Sequence, residues 1–324
     1  MGVIKRSRRP NTIAATVDSG ESKYAAESLD LDVAIATFLR HCRVKNLTKE
    51  TIRYYNEVLS YLKKTMADIG VDRPIDLTKE HVDEIILARQ DGNVSDATVN
   101  SFLRGIRSFF NYLHNEGFIT DHLHVSLIKA ESHIIKTFTK EQIKRVLAAP
   151  NKATFTGYRD YVLMLLLLDT GIRVSEAEGI LLPGINWKDR SIKVFGKGRK
   201  ERIVPFQSTL ETHLREYVTI RGPLEHDFLF VNIDNSPMRK RTMQENISDY
   251  GKIANIKGVR VSPHTFRHTF ARLYITNGGD IFSLQKILGH SSLDIVRQYV
   301  NLFGTDVARQ HRKYSPLDRL DEAD

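Results

Sequence analysis

Cysteine, tryptophan and long apolar runs are scarce in this chain of 324 residues. Cys42 is the only cysteine, so neither a disulfide within one chain nor a zinc site built from cysteines is possible. The longest apolar run, residues 161–168, is far shorter than the roughly 20 residues of a membrane span. It predicts a buried helix segment. The basic start, residues 1–10, is not followed by an apolar stretch, so we expect no signal peptide and a protein of the cytoplasm.

Positive charge is what the chain has in excess. Its formal net charge is +9, its pI is about 9.4, and 41% of its residues are hydrophobic, enough for real cores. Such a balance favours a polyanionic partner, and nucleic acid first among them. Charge alone does not establish this, because many basic proteins bind no particular polyanion.

The patterning divides the chain into five parts. Residues 1–28 are polar and without apolar period, which predicts a flexible basic tail. The same patterning predicts a helical module over residues 29–127, a linker over 128–137, a second module over 138–314, and an exposed tail over 315–324. The fold class that we predict is mainly α, with four helices in the first module and an α+β second module that contains a small β-hairpin or sheet.

Four amphipathic helices account for the first module. The second of them has one apolar stripe with Thr48 as its N-cap, and the fourth runs over residues 95–116 with Gly117 as its cap. Its polar face carries Asn100, Arg104 and Arg107, which we interpret as candidates for a DNA groove. A plainly solvated helix face is the alternative.

The second module opens with a capping-box pattern at residues 139–142 (TKEQ). Residues 191–195 and 201–205 alternate apolar and polar positions around a basic, glycine-rich stretch. This pattern predicts a β-hairpin. Helices are expected on both sides of it.

Four short segments of this module carry residues suited to attack on a phosphodiester. Such a reaction needs a nucleophile, neutralisation of the phosphate oxygens and a proton for the leaving oxygen. Tyr299 is the candidate nucleophile, while Arg173 and Arg267 have the planar forks that match two phosphate oxygens. A tyrosine pKa near 10 means that Tyr299 needs help to lose its proton.

Histidine and lysine candidates supply the proton transfers. His264 and His290 are alternatives for the base or for a hydrogen bond to the phosphate. Lys197 is the candidate acid for the departing 5′-oxygen. Each of these residues alone has an ordinary structural interpretation, such as a half-buried tyrosine, a helix-packing histidine or a solvated hairpin tip. Their combination, in this order and spacing, is what indicates chemistry.

The four segments resemble the boxes of the tyrosine recombinase family, also called phage integrases. They are residues 170–176 (TGIRVSE), 196–198 (GKG) ahead of 202–205 (RIVP), 264–268 (HTFRH), and 288–291 (LGHS) with Tyr299 nine positions after His290. The resemblance covers residues 139–301 by motif, and the helical module only by layout. It implies six catalytic positions, Arg173, Lys197, His264, Arg267, His290 and Tyr299. Glu176 and His268 would support them.

The resemblance also implies a reaction and partners. Tyr299 would form a 3′-phosphotyrosyl link and release a 5′-hydroxyl, and the partner strand would then attack that link, without metal, ATP or another cofactor. The implied partner is double-stranded DNA with a specific recombination site, bound by a homo-tetramer that passes through a Holliday junction. Accessory DNA-binding proteins and a nucleoid location would fit, and residues 301–317 would dock on a neighbouring subunit.

Further basic residues are candidates for phosphate contacts, which would position the protein without reading sequence. Arg239, Lys240 and Arg241 precede a predicted helix, whose N-terminus suits phosphate. Arg199, Lys200 and Arg202 flank the hairpin tip in sequence.

Two other functions compete with recombination. A type IB topoisomerase has similar arginine, lysine, histidine and tyrosine chemistry, but it relaxes supercoils as a monomer. A DNA-binding protein without chemistry would also explain the charge and the helices. Three features favour the recombinase over the topoisomerase, namely His264, the helical module in front, and the spacing from the LGH segment to Tyr299.

Overall fold

The fold is taken from a computed structural model, which describes residues 29–130, 136–196, 200–289 and 311. Contacts between Cα atoms divide the chain into two compact units, residues 1–132 and 133–324. Each unit has its own apolar core. The predicted tails, and the centre of the predicted linker, lie outside the described residues.

Four α-helices build the first unit. They are α1 (Leu31–Val44), α2 (Lys49–Asp68), α3 (Lys79–Asp91) and α4 (Asp96–Asn115), with a 3-10 turn at Pro74–Asp76 before α3. Each begins at a side-chain cap. The predicted cap Thr48 accepts a hydrogen bond from the Thr51 N–H, and Ser95, the predicted start of the fourth helix, accepts one from the Thr98 N–H. Such caps satisfy donors that a helix start leaves unpaired. The four-helix prediction is confirmed.

The helices α2 and α4 approach closely because α4 has a glycine where they meet. A side-chain carbon at Gly105 would lie 2.7 Å from Cγ1 of Val58 and 3.0 Å from the hydroxyl oxygen of Tyr54. The Tyr54 hydroxyl itself donates to the Ser101 carbonyl across the same interface. Aromatic rings fill the core beside this contact, with Phe38 set edge-on to Phe109 at 5.4 Å between ring centroids.

The polar side of α4 holds the segment that follows it. Asn100 is buried, donates to the Ile128 carbonyl at 3.0 Å and accepts from the Ile128 N–H at 2.9 Å. Arg107 donates to the Val125 carbonyl through Nε at 2.8 Å and also through Nη2. The interpretation of Asn100 as a groove-facing residue is therefore wrong, because both polar groups of its side chain are paired with the backbone.

The second unit combines seven helices and a small sheet within the described ranges. The helices are α5 (Lys140–Ala148), α6 (Phe155–Thr170), α7 (Val174–Glu178), α8 (Ser208–Arg221), α9 (Lys240–Ile253), α10 (Pro263–Thr276) and α11 (Ile281–Leu288), with a 3-10 turn at Leu182–Gly184. The predicted capping box is present, since Thr139 and Gln142 each accept from the backbone N–H of the other.

The sheet is antiparallel and has the order β1 (Ile185–Asn186), β2 (Ser191–Phe195) and β3 (Glu201–Pro205). The pairing of β2 with β3 confirms the predicted hairpin, with Ile192 opposite Val204 and Phe195 opposite Glu201. The short strand β1 was not predicted, because two residues carry too little alternation to be recognised.

Helix α6 is the centre of the second core and contains the apolar run of residues 161–168. It also carries a buried ion pair, Arg159 Nε to Asp160 Oδ1 at 2.8 Å. The other carboxylate oxygen of Asp160 accepts from Asn246 and Tyr250 of α9, which ties α9 to α6. Among the residues that the structure describes, no helix combines the length and apolar composition that crossing a membrane requires.

The close approach at Gly105 yields a stability prediction. We expect Gly105→Ala to lower the free energy of unfolding by about 1–2 kcal/mol, because the added methyl group must displace Val58, although alanine favours a helix over glycine. Gly179→Ala is the matched control, since its added carbon would meet nothing nearer than 3.7 Å. Urea unfolding followed by circular dichroism measures both. Equal stability of the two variants would contradict the packing argument.

Candidate active site

The start of α10 carries three of the predicted site residues on one face. Ser262 caps the helix through the Thr265 N–H, and Pro263 occupies its first turn, where a missing N–H costs nothing. Arg267 and His268 follow His264 by three and four positions, so the three side chains lie on one face of the helix. His264 is exposed, His268 half-buried and Arg267 buried.

Arg267 is held by two backbone carbonyls from distant parts of the chain. Its Nη1 donates to the Gly171 carbonyl at 2.6 Å and its Nη2 to the Leu288 carbonyl at 2.8 Å. Gly171 ends α6 in the left-handed conformation with φ +62°. A side-chain carbon there would lie 2.3 Å from Cδ1 of Phe270, so only glycine allows this approach of α6 to α10.

Arg173 lies at the start of α7, two residues after that turn. Its Nη1 donates to Glu176 Oε1 at 3.0 Å and to the Leu288 carbonyl at 3.4 Å. Its side chain is 35% exposed, in contrast to the buried Arg267. Of the two predicted phosphate-binding arginines, Arg173 is therefore the one that faces solvent.

The Leu288 carbonyl is the point where both arginines meet. Leu288 is the last residue of α11, where a helix leaves carbonyls without internal partners. Gly289 ends that helix in the left-handed conformation, with φ +65°. The end of α11 thus brings together side chains from α7 and α10, immediately before His290 in the sequence.

Glu176 is a buried carboxylate that accepts four hydrogen bonds. Oε1 accepts from Arg173 Nη1 and from Arg202 Nη1 at 2.6 Å, while Oε2 accepts from the Arg173 backbone N–H at 2.7 Å and from Arg202 Nη2 at 2.8 Å. Burial acts to raise the pKa of Glu176, but the bonds from Arg202 and Arg173 and their charges outweigh it and lower that pKa. Glu176 is therefore ionised at neutral pH.

Both histidines of α10 are poised in the neutral form. Although His264 is exposed as a residue, partial desolvation of its imidazole, followed by the charges of Arg267, Arg173 and Arg260, lowers its pKa below the ordinary value of 6.5. Burial, then His264 and then Arg267, lower the pKa of His268 to about 4. A neutral imidazole can accept a proton or a hydrogen bond, which suits the proposed base role of His264.

Four of the predicted site residues lie outside the described residues. They are Lys197 and Arg199, which stand between β2 and β3 in the sequence, and His290 and Tyr299, which follow α11. Their predicted roles stay predictions. The described part of the site is the arginine, glutamate and histidine cluster around the end of α11.

The residues predicted to contact DNA differ in their surroundings. Arg104, Lys200, Arg239, Lys240 and Arg241 are exposed. Arg241 pairs with Glu245 at 2.8 Å one helical turn away on α9. Arg239 is the residue just before α9 and makes no side-chain capping bond to it, and its Nη1 lies 4.0 Å from Glu178 Oε1. These five stay predictions as phosphate contacts.

Arg107 and Arg202 are differently placed. Arg107 is bound to the Val125 carbonyl, and Arg202 has only 14% of its side chain exposed. Each of the three guanidinium nitrogens of Arg202 donates within the protein, two to Glu176 and Nε to the Ile287 carbonyl at 2.9 Å. This geometry favours a structural role for both over a phosphate contact.

The backbone partners were not identified from the sequence. The carbonyls of Gly171, Ile287 and Leu288 bind the arginines, and a carbonyl has no sequence signature of its own. The glycines at 171 and 289 are the signal that was available, because both end helices in a conformation that favours glycine. Within the described ranges, no three histidine, cysteine or acidic side chains are grouped as a metal site would require.

The match to a known family covers both units. Residues 136–305 match the phage integrase family, and residues 35–117 match the N-terminal SAM-like domain of phage integrases. The first match alone spans more than half of the chain. The chain belongs to the phage integrase family. Its members are tyrosine recombinases, enzymes that carry out site-specific DNA recombination, so the predicted family is confirmed.

Full-length relatives agree with this assignment. The chain is 31% identical over 300 residues to the tyrosine recombinase XerC of Thermodesulfovibrio yellowstonii, covering 89% of this chain and 98% of that protein. It is 27% identical over 294 residues to the tyrosine recombinase XerD of Staphylococcus haemolyticus, with 88% and 99% covered.

Solved structures of other recombinases share the fold. The Tn1549 transposon integrase in complex with a circular intermediate DNA has a TM-score of 0.72 at 19% identity, covering 88% of this chain and 99% of that one. The XerH site-specific recombinase bound to a palindromic difH substrate has a TM-score of 0.70 at 18% identity, covering 94% and 91%. The predicted fold class of this tyrosine recombinase is thereby confirmed.

The low pKa of His268 yields a pH prediction. The folded recombinase keeps His268 neutral down to about pH 4, whereas the unfolded chain protonates it near 6.5. Because the unfolded state binds the extra proton, this residue's contribution to stability is complete above about pH 6.5 and falls as the pH drops toward 4. We expect His268→Gln to reduce the loss of melting temperature over that window.

The measurement is thermal unfolding of both proteins from pH 7.5 to 4.0. His264→Gln is the comparison, because His264 occupies the same helix face but is exposed and should change the profile less. If His268→Gln leaves the slope of melting temperature against pH unchanged, His268 is not held neutral by its surroundings.

Proposed function

We propose that this tyrosine recombinase cleaves and rejoins DNA at a specific site through a 3′-phosphotyrosyl intermediate. The observation that supports it most is the convergence of Arg173 and Arg267 on the Leu288 carbonyl, at 3.4 Å and 2.8 Å. Two charges that belong to separate boxes of the sequence are thereby fixed at one point. A phosphoryl-transfer site needs such preorganised positive charge where the phosphate oxygens develop charge.

The arginines would take the place that a metal ion occupies in other phosphoryl-transfer sites. Arg173 is partly exposed and donates to Glu176 and Leu288 through one nitrogen, so it is suited to a non-bridging oxygen. Arg267 is held in place by two backbone carbonyls, and its positive charge would lie close to the bound phosphate. Glu176 offsets the charge of Arg173, to which it is hydrogen-bonded, and no ATP is needed because the protein–DNA ester conserves the bond energy.

Proton transfer and attack are proposed for residues beyond the described cluster. Tyr299 would attack phosphorus with its phenolate oxygen, the bond from phosphorus to the 5′-oxygen would break, and Lys197 would protonate that oxygen. His264 is neutral and exposed, which supports it as the base or as a hydrogen-bond donor to the phosphate. His290 is the alternative base. Rejoining reverses these steps with the 5′-hydroxyl of the partner strand.

The proposed partner is double-stranded DNA that carries a recombination site, bound by a homo-tetramer on two synapsed duplexes and resolved through a Holliday junction. The names of the relatives, the tyrosine recombinases XerC and XerD, support recombination as the task in which this DNA partner would take part. Residues 29–127 are the proposed core-binding domain and residues 138–314 the proposed catalytic domain. The family matches at 35–117 and 136–305 support these bounds.

The wider setting is proposed on the same basis. Recombination between genomic or mobile-element sites places the enzyme in the cytoplasm at the nucleoid, with accessory DNA-binding proteins where direction must be set. Transposition is one task of this kind, and chromosome-dimer resolution another. The family match disfavours both alternatives, a type IB topoisomerase and a DNA-binding protein without chemistry.

A covalent-adduct experiment tests the nucleophile. Wild type and Tyr299→Phe are incubated with labelled DNA from the gene's own flanks and analysed on denaturing and native gels. We expect an adduct that survives denaturation with wild type and none with Tyr299→Phe, because phenylalanine has no oxygen to attack phosphorus. Both proteins should shift the DNA on the native gel. A shift without adduct for both proteins contradicts the proposal.

The arginine cluster gives a second prediction. We expect Arg173→Ala and Arg267→Ala to abolish adduct formation, a loss of at least about 10²-fold, while DNA affinity changes by less than about tenfold. A charge that acts in the transition state affects the rate more than the binding. Arg215→Ala, which removes an exposed arginine of α8 that is paired with Glu211 and is not among the predicted DNA contacts, is the control. Loss of binding in step with cleavage would argue against a transition-state role.

A further inference from the structure

Arg202 donates hydrogen bonds from all three of its guanidinium nitrogens, although it belongs to none of the predicted catalytic positions. It lies on β3, and its guanidinium contacts two elements at once. Nη1 and Nη2 donate to the two carboxylate oxygens of Glu176 at 2.6 Å and 2.8 Å, and Nε donates to the Ile287 carbonyl of α11 at 2.9 Å. A planar fork is needed for this geometry, because a lysine ammonium is a single point of charge.

The first contact connects Arg202 to Arg173. Glu176 Oε1 accepts from Nη1 of both arginines, so one carboxylate oxygen is shared between them. The carboxylate has about four acceptor positions, and four donors occupy them. The bidentate bond from Arg202 therefore sets the plane in which Glu176 presents Oε1 to Arg173.

The second contact connects Arg202 to the end of α11. The Ile287 carbonyl that it binds is adjacent to the Leu288 carbonyl, on which Arg173 and Arg267 converge. A side-chain carbon at Gly289 would lie 2.9 Å from Arg202 Nε. Arg202 therefore packs directly against the turn that ends α11.

A third contact involves the hairpin itself. Gly196 follows β2, and its N–H donates to the Lys200 carbonyl at 2.8 Å across the hairpin. A side-chain carbon at Gly196 would lie 3.6 Å from both Arg202 Nη1 and Glu176 Oε1. The backbone at Gly196 thus packs against the ion pair of Arg202 and Glu176. In the sequence, Gly196 precedes Lys197 and Gly289 precedes His290.

We propose that Arg202 is a positioning residue for strand cleavage. It acts through Glu176 on Arg173, and through the Ile287 carbonyl on the end of α11, so that one guanidinium fixes the arginine cluster relative to the hairpin. This role rests on the proposed function, because it has consequences only where the cluster acts on a phosphodiester. It replaces the interpretation of Arg202 as a DNA contact, since all three of its nitrogens donate within the protein.

The alternative is that Arg202 and Glu176 are an ordinary buried ion pair that serves only stability. The two roles predict different effects on the melting temperature and on the cleavage rate. A purely stabilising pair affects the melting temperature and leaves the cleavage rate of the folded enzyme intact. A positioning residue lowers that rate at saturating DNA, because small misplacements of reacting groups cost on the order of 10²-fold.

The test is single-turnover adduct formation at saturating labelled DNA, measured well below the melting temperature of each protein. Arg202→Lys keeps the charge but loses the fork, and we expect about a 10²-fold lower rate with DNA affinity within about threefold of wild type. Arg190→Lys is the control. Arg190 also forms a glutamate pair beside the sheet, with Glu211 at 2.6 Å, but half of its side chain is exposed.

Glu176→Gln and the double variant complete the experiment. If Arg202 acts through Glu176, the double variant loses no more than the worse single variant, because the two residues work as one unit. A double loss equal to the product of the single losses would overturn the proposal. Should Arg202→Lys not fold, Glu176→Gln carries the same test, and its cleavage at the wild-type rate would overturn the proposal too.

The outcome for wild type separates this proposal from the function on which it rests. If wild type forms no adduct on DNA that it binds, the proposed function fails. If wild type forms the adduct and Arg202→Lys forms it equally fast, only the positioning role fails.

Discussion

The end of helix α11 is the constraint on which the described site depends. A helix leaves its last carbonyls without internal partners and carries partial negative charge at that end. Here the carbonyls of Ile287 and Leu288 accept from Arg202, Arg173 and Arg267, which come from β3, α7 and α10. The two carbonyls at this helix end thus bind three arginine side chains. Without these acceptors, the arginines would repel one another and spread toward solvent.

The cluster remains strongly positive after this pairing. Glu176 is the one ionised carboxylate among these contacts, and it is shared by Arg173 and Arg202, while the histidines of α10 are held neutral. Carbonyl dipoles therefore offset part of the repulsion without cancelling the charge. A phosphate that enters such a site meets fixed donors, and little reorganisation is needed at the moment of reaction. The neutral imidazole of His264, next to Arg267 on the same helix face, can accept a proton.

The sequence was sufficient for the helices, the caps and the hairpin, because each has a local signal. Thr48 and the pair Thr139 with Gln142 cap helices where expected. The strand β1 and the roles of Asn100 and Arg202 were not recoverable. An arginine that binds phosphate and an arginine that binds a buried carboxylate look identical in the sequence, and only the partner in the folded protein distinguishes them. For Asn100 that partner, the Ile128 backbone, lies 28 residues away.

The bonds from the site arginines to backbone carbonyls join residues that are far apart in the sequence. The site therefore forms only when the second unit is fully folded. Arg267 reaches a carbonyl 96 residues earlier, and Arg173 reaches one 115 residues later. Bonds of this separation form only after the intervening elements have packed, so a partly folded chain presents no such cluster. The glycines at 171 and 289 are part of this requirement, because each allows the backbone approach on which an arginine depends. Local sequence therefore predicts which residues belong to the site, while the packed fold determines which of them act on a phosphate and which hold the others in place.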